Sequence, residues 1–78
     1  MNEVTNHLIK FLDNDEGMYR DIMSRMGPYK GDLLADYYNA KEFGEEIRDE
    51  VIVPGDGLLG HMLGLVEWDQ LGKHFLEG

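Results

Sequence analysis

The side chains in this chain best placed to do chemistry are carboxylates: 16 Asp and Glu stand against 7 Lys and Arg and 3 His. Five of them, Glu42, Glu45, Glu46, Asp49 and Glu50, recur at i, i+3, i+4, i+7 and i+8, the spacing that stacks side chains along one helix face. Neighbours at that spacing stand roughly 5–6 Å apart, a separation comparable to that of phosphates along a nucleic-acid strand. Such a row can imitate a phosphate backbone and occupy a cationic groove. Tyr38 falls near the same face and would add an aromatic anchor of the kind enriched at interfaces. These six residues are the candidate partner-binding set. The simpler account of the same row is an ordinary solvated helix face.

Other chemistry finds little support. A glycosidase-type carboxylate pair needs a cleft in which burial raises one pKa, and 78 residues leave little room for one. His7, His61 and His74 are scattered and lack the spacing that puts two metal ligands on one helix face. His61 lies in the most apolar stretch, where a partly buried, hydrogen-bonded histidine is the better reading. Ser24 is the only serine and has no nucleophile-elbow context, and there is no cysteine. Gly55-Asp56-Gly57 lacks the lysine of a phosphate loop. Asp13-Asn14-Asp15 begins like a calcium loop but lacks the glycine and distal glutamate that complete one. The expectation is a protein that is not an enzyme and takes no metal or cofactor.

The formal net charge of −9 should repel nucleic acid and anionic membrane and attract basic surfaces. Solubility is the simpler use of such a charge. Lys10, Arg20, Arg25, Lys30, Lys41, Arg48 and Lys73 are dispersed among acids and form no stripe, which argues against direct nucleic-acid binding. The longest apolar stretch, residues 58–66, is broken by Gly60, His61 and Gly64 and falls far short of the ~20 residues of a membrane span. Residues 1–7 lack the cationic segment of an export signal. Together with the absence of cysteine, this fits the cytoplasm.

Positioning the carboxylate row requires helices, and the apolar spacing supplies them. A first helix is expected over 3–12 with Val4, Leu8, Phe11 and Leu12 inward. Asp13 or Asn14 would cap a second helix over 15–25, with Glu16 completing a capping box and Met18, Tyr19, Ile22 and Met26 inward. Gly27-Pro28 ends it. The third and longest helix, 32–51, places Leu33, Tyr37, Ala40, Gly44, Ile47 and Val51 on one stripe flanked by Phe43 and Asp36. Gly44, in the middle of that stripe, points to close approach of another helix, with a break in the helix as the alternative. Val53-Pro54-Gly55-Asp56-Gly57 is a turn, and residues 58–66 read as a short helix apolar nearly all round. A last helix starts near Glu67, with Trp68, Leu71 and Phe75 on one face and Asp69, Lys73 and His74 on the other. Trp68 should anchor it onto 58–66. The five methionines suit an irregular core and also adaptable binding surfaces. The expected fold is all-α, a compact bundle of four to five helices with one long central helix, in a single domain over 1–78.

Two segments carry a resemblance. Phe11-Leu12-Asp13-Asn14-Asp15-Glu16-Gly17-Met18-Tyr19 resembles a segment near the start of small acidic proteins from phages and mobile elements. Gly57-Leu58-Leu59 through Val66-Glu67-Trp68 and on to Glu77 resembles their closing segment, a glycine-leucine helix leading into a valine-acid-tryptophan turn and a short amphipathic helix. The middle of the chain, with the acidic row, is not covered. Most members of that group have no known function, so the resemblance implies an origin and no catalytic residues. Small acidic phage proteins include anti-CRISPR and antirestriction inhibitors, many of which occupy nucleic-acid sites. The resemblance thus implies an inhibitor that binds a host protein with a basic nucleic-acid-handling surface, in the host cytoplasm. The alternative is a structural or self-associating module without such a target, a homodimer completed through residues 58–66.

Overall fold

The computed structural model describes residues 1–29, 36–52 and 63–77, the first three positions of the middle stretch by backbone alone. Asn2 starts the first helix, α1 (Glu3–Asn14), because its side-chain oxygen accepts the Thr5 backbone N–H at 2.8 Å. The helix runs past 12, so Asp13 and Asn14 lie inside it; Asn14 donates back to the Lys10 carbonyl at 2.8 Å. The expected cap therefore shifts by one or two residues. Asp15 closes α1 and opens α2 (Glu16–Ser24), its carboxylate accepting the Met18 N–H at 3.0 Å. Glu16 does not reach back in a capping box; it pairs with Arg20 one turn on.

A single 3-10 turn, Gly27–Tyr29, follows at the proline. The next described element, α3 (Asp36–Glu46), passes without a break into a π-helical segment, Ile47–Val51. Its closing bond runs from the Ile52 N–H to the Ile47 carbonyl at 2.9 Å, an i→i+5 link that accommodates one residue more per turn. The wide turn brings Val51 and Ile52, consecutive residues, both into the core beside Ile47. The last helix, α4, is Trp68–Glu77. No strand occurs among the described residues, and the chain is all-α. Its radius of gyration is 11.9 Å, against about 11.5 Å expected for a folded chain of this length.

The core is assembled from Ile9 and Leu12 of α1, Ile22 of α2, Phe43, Ile47, Val51 and Ile52 of the central helix, Leu63 and Val66, and Leu71 and Phe75 of α4. Around it pack Met18, Met23 and Met26, so these methionines serve as core filler. Three details depart from the periodicity. In α1 the buried line is Thr5, Ile9 and Leu12; Val4 and Leu8 are half-buried, and Phe11 is 56% exposed. Phe43, expected only to flank the stripe of α3, is fully buried. Tyr19 is exposed along one side while its ring leans on Phe75 at 6.4 Å.

α3 and α4 cross at two glycines. A Cβ on Gly44 would stand 1.9 Å from the Trp68 carbonyl oxygen, and one on Gly72 would stand 1.9 Å from the Ala40 carbonyl oxygen. The close approach expected at Gly44 is therefore real, and Gly72 is its counterpart on the facing helix. Trp68 is half-buried against the core and abuts Gly44 through its own backbone. Of the expected helix over 58–66, residues 58–62, His61 among them, lie outside the described residues, as does the expected turn over 53–57. In the remainder Leu63 and Val66 are buried, but residues 64–66 are not helical and Leu65 is 55% exposed.

Candidate functional site: an acidic depression on the central helix

Glu42, Glu45, Glu46, Asp49 and Glu50 line one open depression of about 430 Å³, together with Arg25 from the end of α2 and Tyr29 from the 3-10 turn. All five carboxylates expected on one face are thus together, although the row crosses from α-helical into π-helical backbone between Glu46 and Ile47. The side chain of Tyr38, the sixth expected member, lies outside the described residues.

The five acids are not equivalent. Glu46 is an anchor: the Tyr29 hydroxyl donates to its Oε1 at 2.5 Å, and Arg25 Nη1 stands 3.6 Å from its Oε2. Arg25 also donates to Asp21 at 2.9 Å, bridging α2 to α3. The phenol ring of Tyr29 stacks against Phe43, with centroids 5.0 Å apart, so the anchor sits directly over the core. Asn39 adds a 3.3 Å bond to the Tyr29 carbonyl. The Tyr29 hydroxyl is pushed up to about 12, first by its bond to Glu46, then by burial and by the charges of Glu46 and Glu42.

Asp49 is partnered within its own turn. Arg48 meets it with two nitrogens, at 2.9 and 3.4 Å, and holds its carboxyl below the usual range. The same guanidinium lies 5.8 Å from the centre of the Trp68 ring, tying this end of the row to α4. Glu42, Glu45 and Glu50 have no ion-pair partner among the described residues. Glu42 and Glu50 are exposed, and Glu45 is half-exposed. Among the described residues, the depression thus holds three carboxylates without an ion pair around one structural glutamate and one paired aspartate.

Arg25 and Tyr29 were not legible as parts of this site. Their side chains arrive from another helix and a proline-led turn, and neither spacing nor composition links them to Glu46. No group of three or more His, Asp and Glu able to hold a metal occurs among the described residues. His74 instead joins α4 to α1 through Asp13, with Nε2 and Oδ2 3.1 Å apart. No described helix is long and apolar enough to cross a membrane. Comparison with known protein families, curated proteins and solved structures finds no match to this chain.

Proposed function

We propose that this protein is a non-catalytic binding module, an inhibitor encoded by a phage or mobile element. It sets the acidic face of its central helix against the basic nucleic-acid-binding surface of a host defence protein, a CRISPR effector or restriction enzyme, in the host cytoplasm. One observation carries this reading: Glu42, Glu45 and Glu50 border a single depression and form no ion pair among the described residues, on the face of a helix anchored through Glu46. Carboxylates held in this way attract a cationic partner without first breaking an internal pair. The formal charge of −9 would steer the encounter, so association should slow steeply as salt screens it.

Lysine reversal of Glu42, Glu45 and Glu50 tests the proposal and leaves Glu46, which holds α2 to α3, in place. Pull-down from a bacterial lysate carrying CRISPR and restriction systems should recover a nucleic-acid-handling protein with the native chain and none with the reversed one. Circular dichroism should be the same for both. Undiminished capture by the reversed protein would reduce the acidic face to a solvated surface.

A further inference from the structure

We draw no further inference here: the strongest candidate, the acidic depression between the end of α2, the 3-10 turn and the central helix, belongs to the site already described, and nothing among the described residues points to a ligand inside it.

Discussion

Glu46 and Thr5 are polar side chains that each tie together segments distant in the chain. Because the neutral Tyr29 phenol is the form that donates to Glu46, the folded state raises its pKa from the ordinary tyrosine value of about 10 to about 12. The stabilisation from this contact is complete below about pH 10 and fades as pH climbs through about 12. In an ultraviolet titration of tyrosinate, Tyr29 should ionise late, near pH 12. That late step should vanish in Tyr29→Phe and move down towards pH 10 in Glu46→Gln; a late step that survives Tyr29→Phe would assign it to another residue. Thr5 is fully buried, yet its hydroxyl donates to Asn2 Oδ1 at 2.6 Å and accepts the Glu67 N–H at 2.8 Å. Asn2 continues the link by donating to the Leu65 carbonyl at 2.8 Å. Thr5→Val keeps the shape but leaves the part-buried Glu67 N–H without its acceptor, so it should cost about 1–3 kcal/mol, read from the urea midpoint at unchanged slope. A neutral Thr5→Val would mean that water replaces the hydroxyl.

At the scale of elements, the crossing of α3 and α4 is the most constrained packing in the molecule. Alanine normally gains up to ~1 kcal/mol over glycine inside a helix. At Gly44 and Gly72 the added methyl would land 1.9 Å from a backbone oxygen, and backbone cannot rotate aside as a side chain can. The clash outweighs the propensity gain. Either substitution should destabilise by about 3 kcal/mol or more, the upper end for overpacking, which removes much of the roughly 5 kcal/mol a small domain holds. Gly17, in the first turn of α2, is the control: a Cβ there meets only the Asp15 side chain, at an ordinary 3.5 Å. Gly17→Ala should leave thermal stability equal or slightly raised. If Gly44→Ala and Gly17→Ala melt alike, the helices do not touch at their glycines. The π-helical segment has a comparable packing cause. In α-helical register Ile52 would turn about 140° away from Ile47, whereas the wider turn returns it to the buried side.

Across the whole molecule, the acidic face carries an energetic cost. Glu42 stands one turn from both Glu45 and Glu46, and Glu46 one turn from Glu50, with like charges at each step. Such pairs destabilise a helix by roughly 0.2–0.5 kcal/mol apiece. Arg25 and Arg48 offset the repulsion by direct ion pairs at Glu46 and Asp49, and act on Glu50 and Glu45 only from farther off. Neutralising the rim as Glu42→Gln, Glu45→Gln and Glu50→Gln should therefore raise the melting temperature at low salt, with the gain shrinking as salt screens the native face. The same variant should lose partner capture, the opposition between stability and function expected of a binding surface. A melting temperature that falls instead would show that these carboxylates make stabilising contacts.

Much of the fold was legible because it depends on neighbours within a turn or two. Helical type follows from apolar residues recurring every three to four positions, and the end of α2 follows from proline, which cannot continue the hydrogen-bond ladder. Gly44 was legible for the same reason: a glycine centred on an apolar stripe either breaks the helix or lets another approach, and the Trp68 backbone against it decides for approach. The common face of the five carboxylates also follows from spacing alone, and the π-helical turn did not scatter it. What only the tertiary structure decided involves partners far along the chain. Phe11 and Ile9 are equally apolar, and periodicity favours a face with Phe11; the burial of Thr5, whose hydroxyl is satisfied by Glu67 62 residues away, turns α1 so that Ile9 faces in. Likewise, Glu46 reads as one more acid in a row until Arg25 and Tyr29 reach it from another helix and a turn. Spacing places side chains on a face, but their ionic and hydrogen-bond partners are set by which elements the core brings alongside.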